Sequence, residues 1–218
     1  MATNFVPLSS LRTYVSNDIL GVPVELLDQQ VLLSAIDFCQ KTLLWTEILP
    51  DIPAVSGQST YTLSLPYANT ALAGVKQIWV NGRELAPKPY ARLAYELMNW
   101  QTATATSPVF YAMPDLLSFS PLPIPTNFPV AFSFRVRVAL MPNSSAVQLP
   151  EIIGDRFSDA LAYGARARLM AMPNKNWSDQ KTAMYYQAKY NEEFNRAKIE
   201  GMQNIASGSL QVNSRRFA

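Results

Sequence analysis

The most regular spacing of ionisable side chains is a row of three carboxylates, Glu151, Asp155 and Asp159, at intervals of four residues. Residues four apart lie on one face of a helix, so this row would present the oxygen ligands that hard cations take. Arg156 stands inside the row and can neutralise part of its charge. We therefore favour a solvated or interfacial stripe of charge, with a cation site as the alternative.

Catalysis by paired acids has weaker support in the sequence. Glycoside hydrolysis needs two carboxylic acids on opposite sides of a cleft, one of them with a raised pKa. Glu47, Glu84 and Glu96 are conceivable acids, but no sequence pattern pairs any two of them. The glycine-rich motifs that hold phosphate groups do not occur in the sequence either.

The chain has no histidine, and Cys39 is its one cysteine. This composition excludes Ser-His-Asp and Cys-His catalysis, zinc sites that contain histidine, and a disulfide within the chain. Cys39 lies in an apolar helical run, so we expect a buried structural thiol. The residue types therefore predict a protein that is not an enzyme and has no catalytic residue, cofactor or metal site.

Arg135 and Arg137 alternate with apolar residues next to Phe132 and Phe134. Arginine beside aromatic rings can contact nucleic acid. The same alternation is typical of an ordinary strand with one side facing solvent or another subunit. The net charge of +2 provides no bulk basic field for nonspecific binding of nucleic acid. We therefore favour the solvent or subunit face.

The composition is poor in charge for a chain of 218 residues. Hydrophobic residues make up 49% of the chain and charged residues 16%, whereas about 25% charged is usual. We expect other chains to cover part of the exterior, with an unusually large core as the alternative. No stretch approaches the ~18 apolar residues of a membrane span, so we expect no membrane partner.

Helices are predicted at both ends of the chain, because prolines are concentrated between Pro108 and Pro150. The N-terminal pair is expected over residues 8–19 and 23–49, and Pro50 ends the second helix. That helix is apolar nearly all round, which predicts burial within a bundle or between subunits.

The C-terminal helices are expected over residues 151–172 and from a cap at Asn176 to about residue 203. Asn176 and Asp179 have the spacing of a capping box for the last helix. Residues 204–218 show no helical period, and we expect an extended tail that can add to the surface of another chain.

The middle of the chain reads as strands. Asn81-Gly82 between two apolar runs is a strong signal for a hairpin with a type I′ turn. The expected strands are 60–65, 75–80 with 83–86, 109–113 with 116–120 around a turn at Pro114-Asp115, and 130–141.

One central segment has too few charged residues for an ordinary solvent-exposed surface. Between Leu97 and Phe134 the only charged residue is Asp115. We expect Asn99–Pro129 to be a loop region that touches a neighbouring molecule.

These patterns predict an α+β fold. It is expected to be an antiparallel-type helical bundle of two N-terminal and two C-terminal helices with an inserted β-rich domain and an extended C-terminal tail. The bundle would comprise residues 1–55 and 149–203, the insertion residues 56–148, and the tail residues 204–218.

The order of segments resembles the head-to-tail adaptors of short-tailed phages, the tail tubular protein A-like family. The resembling segments span most of residues 20–200. They are VELLDQQVLLSAIDFCQKTLLW, YTLSLP, GVKQIWVNGRELAPKPY, SPVFYAMPDLLSFSPLPIP, LPEIIGDRFSDALAYGARARLMAMPNKNW and KTAMYYQAKYNEEFNRAK.

This resemblance implies a virion structural protein of the phage tail or neck, made in the host cytoplasm. Twelve copies would form a ring, or connector, that joins the portal protein to the tail nozzle protein. DNA would pass through the ring during genome ejection without sequence-specific binding. The C-terminal segment would bind the portal, through Leu210, Val212, Arg215, Arg216 and Phe217. Asn99–Pro129 would face the nozzle or a neighbouring subunit.

A monomeric binding module is disfavoured by the low charge content. Two other functions are compatible with the sequence. One is a head-completion or stopper protein of long-tailed phages, although such proteins are usually smaller and more purely helical. The other is a cell-wall glycosidase carried in the virion, which would depend on a single essential glutamate.

Overall fold

The computed structural model describes residues 4–96, 99–128 and 130–203. The first helical segment is a 3₁₀ turn, Leu8–Leu11, that continues into α1. A second 3₁₀ turn, Tyr90–Arg92, precedes α3. The helices are α1 (Arg12–Ser16), α2 (Val24–Thr42), α3 (Leu93–Glu96), α4 (Glu151–Gly154), α5 (Ser158–Met170) and α6 (Gln180–Gln203).

The strands are numerous and mostly short. They are β1 (Phe5–Pro7), β2 (Thr46–Ile48), β3 (Ile52–Pro53), β4 (Tyr61–Thr62), β5 (Thr70–Val80), β6 (Arg83–Glu84), β7 (Ala86–Pro87), β8 (Thr104–Ala105), β9 (Phe110–Asp115), β10 (Ser118–Leu122), β11 (Ile124–Pro125), β12 (Ser133–Pro142) and β13 (Gln148–Pro150).

Two sheets form the main β structure of the described residues. The larger has the strand order β2-β12-β5-β6, with β3 also paired to β12, and all its pairs are antiparallel. The second has the order β4-β10-β9-β7, in which β7 and β9 are parallel. Strand β1 pairs with β13, and β8 with β11.

Helix α2 is shorter than its sequence predicts. It ends at Thr42, and Leu43 then takes a left-handed conformation with φ of 53°. The next residues pair with β12 as strand β2, and Trp45 is buried against the rings of Phe5 and Tyr67. The prediction that the helix continues to residue 49 is wrong, because sheet pairing and aromatic packing outweigh the local helical pattern.

The predicted hairpin around Asn81-Gly82 is confirmed. Val80 lies opposite Arg83, and both turn residues have positive φ, 49° and 77°. The second hairpin also forms, between β9 and β10. Its turn lies at Leu116-Leu117 rather than at the predicted Pro114-Asp115, and both of the latter residues belong to β9.

Strand β12 places its apolar side in the core. Its inward residues pack on α2, and the strand pairs along its length with β5. The predicted alternation is confirmed, although the strand starts at Ser133 rather than at residue 130. The buried inward residues are Phe134, Val136, Val138 and Leu140.

The predicted third helix divides into α4 and α5, with residues 155–157 as a turn between them. Phe157 of this turn is buried against the Phe38 ring of α2, with centroids 5.2 Å apart. The continuous helix 151–172 is therefore wrong, and anchoring of an aromatic side chain in the core accompanies the break.

The small residues of α5 allow close helix packing, as their spacing indicates. Helix α5 packs against both α2 and α6. A Cβ atom at Gly164 would fall on the Ser34 hydroxyl and within 3.0 Å of the Tyr190 ring. The Tyr190 hydroxyl also donates to Asp37 of α2 at 2.9 Å. These contacts fix the three longer helices against one another.

The start of α6 is capped by one residue rather than by the predicted box. Asp179 Oδ1 accepts the backbone N–H groups of Lys181 and Thr182. Its other oxygen accepts the Thr182 hydroxyl. Asp179 is thus the N-terminal cap itself, and no hydrogen bond from an Asn176 cap contributes among the described contacts.

The predicted fold class, a helical bundle with an inserted β-rich domain, is wrong. The described chain is a mixed α and β structure in which α1, α3 and α4 have five residues or fewer and several sheets carry much of the fold. One core cluster contains residues of α2, α5 and α6 together with residues of β5 and β12. The helices pack against a sheet, because apolar residues of β12 complete the core that three helices alone leave open. The division into residues 1–55 with 149–203 and residues 56–148 stays a prediction about folding units.

Candidate assembly surface

The residues predicted to bind the portal, Leu210, Val212, Arg215, Arg216 and Phe217, lie outside the described residues. The last turn of α6 that precedes this segment makes close contacts at Gly201. A Cβ at Gly201 would lie 2.7 Å from the Thr42 carbonyl oxygen, and Lys76 Nζ donates to the Gly201 carbonyl at 3.1 Å. The end of α6 is therefore held against α2 and β5.

The conceivable catalytic acids do not come together. Glu47 lies opposite the buried Val138, whereas Glu84 lies opposite Trp79 at the far edge of the sheet. Three strand spacings separate β2 from β6, about 14 Å, which exceeds the separation of glycosidase carboxylates. The side chain of Glu96 is outside the described part of the chain. This arrangement forms no acid pair from Glu47 and Glu84.

The carboxylate row also does not converge. Glu151 belongs to α4 and accepts a hydrogen bond from the Asn4 amide at 3.0 Å. Asp155 lies in the turn and Asp159 in α5, both exposed. Across residues 4–96, 99–128 and 130–203, no three carboxylate, cysteine or histidine side chains are placed to hold a metal ion. The geometry agrees with a solvated or interfacial stripe.

Cys39 is fully buried, as its apolar surroundings indicate. Burial raises the pKa of its thiol to about 12, because the anionic thiolate is disfavoured away from water. A thiol in this state is unreactive at neutral pH, which supports a structural role.

The outer face of the larger sheet carries Arg135 and Arg137. An open cavity of about 550 Å³ lies on this face, lined by Ile48, Asp51, Trp79, Asn81, Gly82, Ser133 and both arginines. Arg135 Nε is 3.2 Å from Asp51 Oδ1, and this bond raises the pKa of Arg135. Because Asp51 neutralises Arg135, the face is not a simple site for phosphate groups.

Much of the uncharged central segment is buried by the chain itself. All five residues of β10 are buried. Its Phe119 packs against the rings of Tyr61 and Phe134, with centroids 5.5 and 5.2 Å apart. Part of the charge shortage therefore reflects internal burial rather than cover by another molecule.

The tip of the β9–β10 hairpin remains apolar and exposed. Leu116 is 71% exposed and Leu117 is 44% exposed. Asp115 holds the turn, because its oxygens accept the Leu117 N–H at 2.8 Å and the Ser118 hydroxyl at 2.7 Å. These hydrogen bonds lower the pKa of Asp115. We call Leu116 and Leu117 the hairpin tip; it presents two leucines on a rigid turn.

A cavity with both polar and apolar lining includes Pro114, two residues before the hairpin tip. The rings of Tyr90 and Trp100 meet edge to face, with centroids 5.3 Å apart. Both rings and Pro114 line this cavity of about 190 Å³. Sequence reasoning missed the tip because it placed the turn two residues early. An Asx residue followed by two leucines between strands was the available signal.

A comparison with known families identifies the class of protein that presents these surfaces. The profile of the SU10 adaptor protein family matches residues 7–214. The chain belongs to this family. It is thus a phage adaptor protein, a virion component with a structural role and with other virion proteins as its partners. The predicted kind of protein is confirmed, while the narrower tail tubular protein A-like type is not shown.

The matched residues include every helix and nearly every strand described above. The family assignment therefore applies to the fold as a whole. No curated protein matches the chain. Within the described residues, no helix combines the length and the apolar character that crossing a bilayer requires.

Proposed function

We propose that the chain is a head-to-tail adaptor of the tail tubular protein A type, which forms a ring between the portal and the tail nozzle. Twelve copies would enclose a channel through which DNA passes during ejection. Membership in a phage adaptor family supports the proposal. An adaptor needs at least two contact surfaces, one for each virion protein that it joins.

The observation that carries the proposal is the hairpin tip. Two leucines on a turn fixed by Asp115 expose apolar surface to water. A turn that is held by hydrogen bonds loses less conformational entropy on binding than a free loop does. The tip lies in the segment 99–129 for which a contact with the nozzle or a neighbouring subunit is expected. We assign this contact to the tip.

The second contact is assigned to the C-terminal segment and the portal. Gly201, near the end of α6, is held between α2 and β5, and residues 204–218 follow α6 in the sequence. Fifteen residues can extend about 50 Å from the end of α6. Each copy would contribute one weak contact, and the ring would add them by avidity.

Removal of residues 207–218 tests this proposal. We expect the truncated chain to keep the thermal unfolding temperature of the full chain, because its described core is untouched. We also expect it to lose binding to purified portal rings in a pull-down assay. A full-length variant with Val147→Asp, a change on an exposed residue of the described fold, serves as the control that retains binding. Equal portal binding by the truncated and full chains would refute the assignment.

A further inference from the structure

Helix α2 carries an uncharged stripe on the side opposite its buried face. The buried face contains Leu27, Val31 and Phe38. The opposite stripe is half-buried or exposed and follows the three-and-four spacing of a helix seam. We call it the α2 seam; its residues are Leu26, Gln29, Leu33, Ile36 and Gln40. Leu26 and Ile36 also pack partly on the core, so Leu33 is the exposed apolar residue at its centre.

Helix α6 carries a second uncharged stripe, also opposite to its buried face. Ala183, Tyr190 and Ala197 are buried against the rest of the chain. The exposed stripe again advances by three or four residues. We call it the α6 seam; its residues are Met184, Ala188, Asn191, Asn195 and Ile199.

The two seams match in length and in chemistry. The α2 seam rises about 21 Å along its helix and the α6 seam about 22 Å, at 1.5 Å per residue. Each seam combines apolar side chains with two amides. Ala188 is small enough to let another helix approach closely. Amides buried between helices need partners, and each seam supplies them to the other.

The charges beside the seams have opposite signs. Helix α2 carries three acidic residues and one basic residue, net −2, and α6 carries four basic and three acidic residues, net +1. Ion pairs within the described chain involve most of these groups. Glu25 beside the α2 seam and Lys181 and Lys198 beside the α6 seam form no ion pair among the described contacts, although Glu25 also interacts electrostatically with Arg12 and Lys181 with Asp179. Across an α2–α6 contact, Glu25 would lie near Lys181 if the two helices run parallel and near Lys198 if they run antiparallel, so either direction brings opposite charges together.

We propose that the α2 seam of one copy packs against the α6 seam of the next copy. The contact uses two different faces, so it is heterologous and can generate a ring. Pairing α2 with α2 would offer Glu25 no unpaired basic side chain on the facing helix and is disfavoured. This inference deepens the proposed function and rests on it, since it names the surfaces that join neighbouring copies.

Cysteine cross-linking at the seam centres tests the contact. Leu33 and Asn191 lie near the middle of their seams, so they approach each other whether the helices run parallel or antiparallel. The double variant Leu33→Cys with Asn191→Cys is assembled on portal rings and oxidised mildly. The native Cys39 is buried and does not react.

The expected result for the double variant is a ladder of covalent multimers on a non-reducing gel. Each single variant should give no cross-linked product, and an equal mixture of both single variants should stop at dimers. Dimers from Leu33→Cys alone would overturn the proposal, because they require two α2 seams to meet. The pair Leu33→Cys with Asn195→Cys, one turn along α6, repeats the test at a second exposed position.

Failure of this inference is distinguishable from failure of the proposed function. A double variant that binds portal rings in many copies without forming the ladder would overturn the seam contact and leave the adaptor ring standing. A wild-type chain that binds the portal only as isolated copies would overturn both.

Discussion

At the residue scale, Leu116 and Leu117 offer the clearest separation of assembly from folding. Both side chains are exposed, so replacing them with aspartate should change the free energy of unfolding by less than about 0.5 kcal/mol. The same change should abolish incorporation of the chain into particles, because charge at the tip opposes burial in an interface.

The measurement is the amount of variant chain in purified particles from cells that supply only the variant. Val147→Asp is the matched control, since Val147 is 64% exposed and lies outside the hairpin tip. Normal incorporation of the double aspartate variant would contradict the assignment of the hairpin tip as an assembly contact.

Gly164 tests the packing of the three longer helices. A methyl group at this position would meet Ser34 and the Tyr190 ring, so Gly164→Ala should lower the free energy of unfolding by about 1–3 kcal/mol. Gly74→Ala is the control, because the space around Gly74 is open. Urea denaturation of both variants measures the difference. Equal midpoints would contradict the described approach of α5 to α2 and α6.

At the element scale, local sequence patterns predict that a helix or strand exists more accurately than they predict the residues at which it begins and ends. The type I′ hairpin at Asn81-Gly82 and the alternation of β12 are encoded by neighbouring residues, and both are confirmed. The end of α2 depends on pairing with β12, which lies about ninety residues further along the chain. No pattern within residues 23–49 indicates that pairing. The helix predicted from these residues is therefore longer than the observed α2.

The candidate site shows the same limit. Low charge in the segment 99–129 predicted a surface that touches a neighbouring molecule, and that contact stays a prediction, but all of β10 is buried within the chain. The residues of β10 and the two leucines of the hairpin tip are all uncharged, so the sequence does not distinguish them. The structure shows that β10 is buried and that Leu116 and Leu117 are exposed.

Helix α6 provides a pH-dependent prediction. Hydrogen bonds from the Thr182 hydroxyl, and then from backbone N–H groups, lower the pKa of Asp179 below its ordinary 3.8. A lowered pKa in the folded state means that the carboxylate stabilises the fold above that ordinary value. This contribution is lost as the pH falls through the folded-state pKa. Asp179→Ala should therefore lower the melting temperature at pH 7, and the deficit should shrink below about pH 3.8.

Melting followed by circular dichroism across this pH range measures the effect. Asp155→Ala removes an exposed carboxylate that caps no long helix and should leave the melting temperature nearly unchanged. A deficit for Asp179→Ala that stays constant to pH 2 would contradict the capping role.

At the scale of the whole molecule, the chain combines a shared core with several exposed uncharged surfaces. The core joins helices and sheet, which explains why the expected separate helical bundle is wrong. In a single copy, apolar side chains are exposed to water at the hairpin tip, at Leu33 of the α2 seam, and at Met184 and Ile199 of the α6 seam. Burial of such surface contributes about 25 cal/mol per Å² before the costs of association, so assembly has a defined driving force.

Sedimentation velocity of the purified chain, alone and with purified portal rings, tests this account most directly. Alone, the chain should sediment as a monomer of 24.3 kDa. With the portal, it should move into a single faster species that holds many copies, twelve if the ring is of the proposed type. A chain that remains monomeric beside the portal at concentrations well above those of assembly would contradict the central claim.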